Sequence, residues 1–343
     1  MINKPCLLFL GDAPDQLAAK TAVGIAHWRS ADCVGQLRLP GCNADLRLPD
    51  LTVAEAAAKG ARTLIVGVAN RGGRFSPIWI RELHLALEAG MDIASGLHSR
   101  LSDIPGLADL AARMGRQLFD VRHPTGEFKV GNGKKRSGKR LLTVGTDCSV
   151  GKMYTALAIE AEMRTRGMKV SFRATGQTGI LIAGGVVSID AVIGDFISGA
   201  VEALSPDLEP GHWDVIEGQG SLFHPSFAGV SLGLLHGAQP DVLVMCHEPD
   251  RPHMRGVPGY PLPSLEECIA ANEGAARLTN PNAACIGISI NTAKLTEAAA
   301  WQLLRETEDR MGLPCVDTVR TGVEPLVALI VGGWVCHAHS PNE

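Results

Sequence analysis

The stretch from Leu141 to Ile159, LLTVGTDCSVGKMYTALAI, constrains the fold more than any other part of the 343-residue chain. An apolar run leads into the glycine-bordered loop GTDCSVGK, and a helix-forming run follows. This order of strand, glycine loop and helix is the context of a phosphate-binding loop, whose N–H groups and helix dipole hold an anion. We therefore predict an anion-binding loop made of Gly145, Thr146, Asp147, Cys148, Ser149, Val150, Gly151, Lys152 and Met153.

Two details set this loop apart from those that split nucleoside triphosphates. Five residues separate Gly145 from Gly151, one more than in the usual pattern, and Met153 replaces the expected Ser or Thr. That hydroxyl is normally a ligand of Mg²⁺, a hard cation for which a thioether is a poor partner. We predict a ligand whose phosphates are bound but not broken, such as coenzyme A. A Mg²⁺ ion held through water, without the hydroxyl, remains open as an alternative.

Short apolar runs alternate with helical patterns along the whole chain, which is typical of parallel sheets covered by helices. The spacing predicts strands at 6–12 and from 63, helices over 77–90 and 106–115, and a mostly helical segment at 187–204. A polar, basic, glycine-rich stretch at 125–140 interrupts the pattern. We therefore predict an α/β protein with two domains, residues 1–130 and 131–343.

Composition excludes several classes of protein. The formal net charge of −4 gives no electrostatic reason to expect nucleic acid, and no apolar run approaches the roughly 20 residues that cross a bilayer. Nine scattered cysteines without a signal peptide indicate reduced thiols in the cytoplasm. His247 and His253 match no strong zinc spacing, and Pro249 and Pro252 prevent a helix that would align them, so no bound metal is expected.

Several stretches resemble known families. GTDCSVGKM is similar to the GTD-x-x-VGK-T loop of dethiobiotin synthetase and its P-loop relatives, and EGQGSL at 217–222 is similar to their acidic glycine loop. A closer resemblance, over the whole chain, is to the D-glutamate N-acetyltransferase (DgcN-like) family. The stretches that carry it are GTDCSVGKM, RATGQTGI at 173–180, IDAVIGDFISGAVE at 189–202, EGQGSLFHPSF at 217–227 and HEPDRPHMRG at 247–256.

This resemblance implies a Rossmann-like first domain and a P-loop second domain with parallel sheets and flanking helices. It also implies acetyl transfer from acetyl-CoA, as co-substrate, to the amine of D-glutamate. Met153 belongs to the pattern of this family.

Amide formation from a thioester needs a base for the ammonium proton, donors for the oxyanion and cations for the substrate carboxylates. Glu217 is a candidate base because it ends the apolar strand WDVI, although it could instead pair with Lys152 or a metal. Asp190 and Asp195 are further candidates. GQGSLFHP brings two further catalytic candidates, Ser221 and His224, into one turn whose N–H groups could serve as an oxyanion hole. Ser221 is a candidate acyl-carrying nucleophile, although no G-x-S-x-G elbow surrounds it.

Arginine forks bind carboxylates bidentately, and several arginines lie on predicted strand-exit loops. The candidate substrate-binding arginines are Arg71, Arg74, Arg173, Arg251 and Arg255. Two other functions remain open: an ATP- and Mg²⁺-dependent ligase or kinase like dethiobiotin synthetase, and a non-catalytic nucleotide sensor. We expect small-molecule substrates and a homo-oligomer, since such enzymes commonly associate.

Overall fold

A computed structural model of the chain describes residues 2–68, 74–124, 126–185 and 187–332. It divides into two compact units. Unit 1 comprises Met1–Thr125 and Gly176–Ala191, and unit 2 comprises Gly126–Thr175 and Val192–Glu343.

The sheet of unit 1 has five parallel strands in the order β2-β1-β3-β4-β5. The strands are β1 Cys6–Gly11, β2 Cys33–Arg38, β3 Thr63–Val66, β4 Asp92–Ser95 and β5 Leu118–Asp120. Every residue of β1, β3 and β4 is buried, which explains why these strands appear in the sequence as continuous apolar runs rather than alternating ones. The predicted strands at 6–12 and from 63 are thus confirmed.

Helices flank this sheet. Those of unit 1 are α1 Lys20–Arg29, α2 Val53–Ala58, α3 Pro77–Glu88, α4 Leu107–Met114 and α6 Gln177–Ala183. The predicted helices over 77–90 and 106–115 correspond to α3 and α4. α3 begins where the Ser76 side chain accepts from Trp79 N with Pro77 in the first turn, which are start signals readable from the sequence.

The segment Gly176–Ala191 belongs to unit 1, although the sequence-based division at 130/131 assigns it to the second domain. Within unit 1, α6 packs against α1, and Thr21 Oγ1 lies 3.1 Å from Thr178 Oγ1. No local pattern in the sequence indicates this packing, because its partners are far apart along the chain.

The sheet of unit 2 has six parallel strands in the order β11-β10-β9-β6-β8-β7. They are β6 Lys139–Gly145, β7 Val170–Arg173, β8 Trp213–Ile216, β9 Val242–His247, β10 Ala284–Ile290 and β11 Cys315–Val316. β6 lies between β8 and β9, so the loop that follows it stands beside the carboxyl ends of both neighbours. Open parallel sheets bind their ligands at this edge.

The helices of unit 2 are α5 Lys152–Thr165, α7 Ile197–Leu204, α8 Ala228–Ala238, α9 Leu265–Arg277, α10 Glu297–Met311 and α11 Glu324–Val331. Buried side chains of α5 and α11 pack with strand residues into one apolar core that includes Leu141, Ile159, Val244 and Leu326. None of the helices in the described ranges is long and apolar enough to cross a bilayer.

The prediction of a mostly helical segment at 187–204 is wrong in its first half. Two short 3-10 turns, Ile189–Ala191 and Gly194–Phe196, precede α7. Ile193 has ψ 136°, an extended conformation that interrupts any helix, and Asp190 accepts a hydrogen bond from Ser188 Oγ at 2.6 Å. Local bonds of this kind compete with helix formation.

Candidate functional site

The predicted anion loop lies between β6 and α5. Gly151 has φ 104°, a conformation that glycine adopts at little cost, and it stands directly before the first residue of α5. Thr146 N donates to Cys246 O at 3.1 Å. The N–H groups of Ser149, Val150 and Gly151, by contrast, have no acceptor within the described part of the chain. The loop therefore offers three neighbouring donors to an anion.

Lys152 directs its charge into this loop. Its side chain is 6% exposed, and Nζ donates to Asp147 O at 2.7 Å. Burial lowers the pKa of the ammonium. The lysine stem runs past Gly218, where an added Cβ would lie 3.0 Å from Lys152 Cδ and 1.7 Å from Thr143 O. Gly218 is thus required by the close approach of β6, the lysine and the acidic glycine loop.

Asp147 is fully buried, and its carboxylate is saturated with donors. Oδ1 accepts from Cys148 N at 2.6 Å, while Oδ2 accepts from Arg251 Nη1 at 2.6 Å and from Arg255 N at 2.9 Å. Both arginines belong to residues 248–256, which we call the strap. Asp147 therefore ties the strap to the anion loop.

Arg251 also binds backbone carbonyl groups of the same loop. Nη1 donates to Cys148 O and Nη2 to Ser149 O, each at 2.8 Å, and Nη2 also pairs with Glu248. Glu248 is held in turn by Lys294 Nζ at 2.7 Å. Arg251 therefore holds two carbonyl groups of the predicted anion loop and fixes the backbone there.

His224 supports the strap from the acidic glycine loop. It is 1% exposed, Nε2 lies 3.0 Å from Arg255 O, and Nδ1 accepts from Ser226 N at 3.2 Å. These partners assign the proton to Nε2, which donates to the carbonyl. Both ring nitrogens of this predicted catalytic residue are therefore in hydrogen bonds with the backbone.

Asp147, Cys148 and His224 offer metal-type ligand atoms within 4.8 Å of one another. Burial raises the pKa of the Cys148 thiol, and the positive charge of Lys152 opposes this shift. A thiol ligates metal as the thiolate, which the burial disfavours. With Lys152 and Arg251 also bonded to Asp147, the electrostatics of this cluster favour an anion over a metal ion.

Glu217 stands at the carboxyl end of β8, as predicted. It is 5% exposed, and Oε2 accepts from Thr175 N at 3.0 Å while its own carbonyl accepts from Thr175 Oγ1 at 2.6 Å. Ser221 lies in the same loop and donates from Oγ to Thr146 O at 3.1 Å. The serine is thus bonded to the anion loop, and its role as nucleophile stays a prediction.

Of the other predicted site residues that the structure describes, two form ion pairs, and Asp195 and Arg74 are exposed. In unit 2, Arg173 Nε donates to buried Asp214 at 2.8 Å, and Asp195 is exposed in the turn before α7. In unit 1, Asp190 pairs with Arg122, and Arg74 is exposed before α3. Arg71 lies outside the described residues.

His247 is a candidate that the sequence analysis considered only as a metal ligand. It ends β9, and Nδ1 lies 2.9 Å from Thr146 Oγ1. Burial lowers the pKa of the imidazole, and the charge of Arg251 adds to this effect, so the ring is neutral near pH 7. Its Nε2 has no hydrogen-bond partner among the residues that the structure describes. In the sequence, a site role for His247 is indicated by its position directly after the apolar run DVLVMC.

Two family models match the chain. One, described as "Domain of unknown function (DUF1611_C) P-loop domain", covers residues 129–327. The other, described as "Domain of unknown function (DUF1611_N) Rossmann-like domain", covers residues 37–124. The predicted fold class, a Rossmann-like N-terminal domain and a P-loop C-terminal domain with parallel sheets, is thereby confirmed.

Curated proteins and a solved structure resemble the chain over almost its whole length. A D-glutamate N-acetyltransferase of Tritonibacter scottomollicae is 57% identical over 327 residues, covering 95% of this chain and 98% of that protein. A protein of the same name from a Pseudoalteromonas species is 51% identical with the same coverage. The crystal structure of a DUF1611 family protein from Anabaena variabilis has a TM-score of 0.85 at 33% identity, covering 96% of this chain and 100% of that chain.

Proposed function

The chain belongs to the DUF1611 family, and we propose that it transfers the acetyl group of acetyl-CoA to the amine of D-glutamate. Its similarity to two curated D-glutamate N-acetyltransferases, at 57% and 51% identity over 95% of its length, supports this acetyltransferase activity.

The chemistry of the loop between β6 and α5 supports acetyl-CoA as the acyl donor. Three N–H groups without acceptors in the described chain and the buried Lys152 suit phosphate oxygens. Met153, the second residue of α5, puts a thioether where a Mg²⁺-binding hydroxyl would stand. Coenzyme A has phosphates that must be held and need not be cleaved, so it fits this donor set.

The reaction moves few atoms. The substrate ammonium gives one proton to a base, the amine attacks the thioester carbonyl, and a C–N bond forms. The nitrogen then loses its second proton, the C–S bond breaks, and that proton ends on the departing sulfur, which leaves as the thiol of coenzyme A. Two groups at the carboxyl ends of strands are suited to take the proton. They are the Glu217 carboxylate, held by Thr175 N, and the neutral His247, oriented by Thr146.

A thiol-release assay tests this function. Purified protein with acetyl-CoA and D-glutamate should release free thiol, whereas L-glutamate and D-alanine should give much slower release. Folded protein that releases no thiol with D-glutamate contradicts the proposal. Met153→Thr should keep the activity, because the account requires no Mg²⁺ ligand at that position.

The proposal includes a cytoplasmic location and a homo-oligomer. The described cysteines are all free, as is usual for a reducing compartment. The oligomer rests only on the general tendency of such enzymes to associate, and sedimentation would measure it.

A further inference from the structure

Among the residues that the structure describes, the ion pairs around the anion loop do not include Arg255. Asp147 pairs with Arg251, and Glu248 pairs with both Arg251 and Lys294. The Arg255 guanidinium makes no hydrogen bond or ion pair within the described ranges, although the residue is partly buried. An arginine held in this way retains its full charge and five donors for another partner.

Both polar backbone atoms of Arg255 are in hydrogen bonds, one with the anion loop and one with His224. Its N–H donates to Asp147 Oδ2 at 2.9 Å, and its carbonyl accepts from His224 Nε2 at 3.0 Å. Burial raises the pKa of the Cys148 thiol in the same loop, and the positive charge of Arg255, after that of Lys152, opposes this rise. The Arg255 side chain therefore extends from a backbone that is hydrogen-bonded to the anion loop and to His224.

We propose that the Arg255 guanidinium binds the phosphates held by the anion loop and supplies the positive charge that a hydroxyl-bound Mg²⁺ supplies in nucleotide-splitting loops. This inference rests on the proposed function, because it takes coenzyme A as the ligand. It replaces the sequence-based prediction that Arg255 binds a carboxylate of the substrate. It also gives Asp147 and His224 a common role as positioning residues, since each holds one backbone atom of Arg255.

The need for this charge follows from two features of the loop. Met153 removes the usual protein ligand of Mg²⁺. Lys152 is the cation of the loop sequence itself, and burial lowers its pKa, while the charge of Arg251 is already paired with Asp147 and Glu248. A diphosphate carries more negative charge than one such lysine balances, and the planar guanidinium binds phosphate oxygens bidentately.

Binding of coenzyme A measured by calorimetry, once with Mg²⁺ and once with EDTA, tests this inference. Wild-type protein should bind equally in both. Arg255→Gln should bind about 10- to 100-fold more weakly, the loss expected for charge-assisted hydrogen bonds. Arg255→Lys should lie between them. In the acetyl-transfer assay, the KM for acetyl-CoA should rise in Arg255→Gln while the KM for D-glutamate stays within about twofold of wild type.

A matched control keeps the test specific. Arg164 is an arginine at the other end of α5 with a side chain 69% exposed, and Arg164→Gln should bind as wild type does. Arg255→Gln keeps the backbone atoms that contact Asp147 and His224, so its thermal unfolding should match wild type. Equal binding by wild type and Arg255→Gln, or a rise only in the KM for D-glutamate, overturns the inference alone. If wild-type protein does not bind coenzyme A, the proposed function fails and takes the inference with it.

Discussion

Arg251 and Asp147, 104 residues apart in the sequence, form a buried ion pair with Nη1 2.6 Å from Oδ2. The pair joins the strap to the anion loop, and the same guanidinium holds the carbonyls of Cys148 and Ser149. The shape of the loop therefore depends on a contact that its own sequence does not contain.

Asp147→Asn should weaken this connection. The amide cannot accept from Arg251, Arg255 and Cys148 together, and it removes one of the two carboxylates that pair with the guanidinium, leaving Glu248. Breaking a buried pair costs about 3–5 kcal/mol, and the remaining Glu248 lowers that cost here. We expect a lower melting temperature and weaker binding of coenzyme A, measured by thermal unfolding with and without ligand. Asp309→Asn, an exposed change on α10, serves as the control, and equal effects of the two variants would contradict this role.

Lys152 should make the affinity for coenzyme A depend on pH at the alkaline side. Its pKa is lowered by burial, so its charge is lost at a lower pH than that of an ordinary lysine. Affinity should therefore fall as pH rises through the lowered pKa, and Lys152→Met should bind weakly without this dependence. Binding curves of both proteins from pH 7 to 10 measure it. The same slope in wild type and Lys152→Met would show that another group titrates.

His247 predicts an acid limb in the activity profile. The neutral ring is the form that takes a proton, and its pKa lies below 6.5 because of burial and the charge of Arg251. The rate kcat/KM should therefore fall as pH drops through that pKa, and His247→Gln should lower kcat and remove the limb. Glu217→Gln provides the comparison. If the limb survives in His247→Gln and is lost in Glu217→Gln, the carboxylate is the base.

Gly218→Ala should destabilise the protein strongly. The added Cβ would lie 1.7 Å from Thr143 O, a backbone atom of β6 that cannot move without disturbing the sheet. Overpacking of this kind costs about 1–3 kcal/mol or more. Gly229 in α8 has open space at its Cβ position, so Gly229→Ala should keep or raise the stability by up to about 1 kcal/mol. Chemical denaturation of both variants measures the difference, and similar stabilities would contradict the steric argument.

The sequence predicts those parts of the fold that local signals determine. The loop from Gly145 to Lys152 and the helix α3 are examples, since glycine, proline and a capping serine mark their ends. Helix α9 has a similar signal, the capping box of Ser264 and Glu267, which the sequence analysis overlooked. The packing of Gly176–Ala191 with unit 1 has no such signal, because it depends on long-range contacts.

In the site, too, local sequence signals predict some features, whereas others depend on contacts between distant residues. The anion loop and the place of Glu217 follow from strand ends, which the sequence displays. The contacts of the strap with Asp147 and His224 join residues that are distant in the chain, so residue type alone could not distinguish Arg251, which holds the loop, from Arg255. The neutral state of His247 likewise depends on burial, which only the folded chain determines.

The most direct test of the account is detection of the product by mass spectrometry in a reaction that contains EDTA and no ATP. Purified protein with acetyl-CoA and D-glutamate should form N-acetyl-D-glutamate and one equivalent of free coenzyme A under these conditions. Formation of product only when Mg²⁺ and ATP are added, together with release of ADP or phosphate, would contradict the account and favour a ligase or kinase.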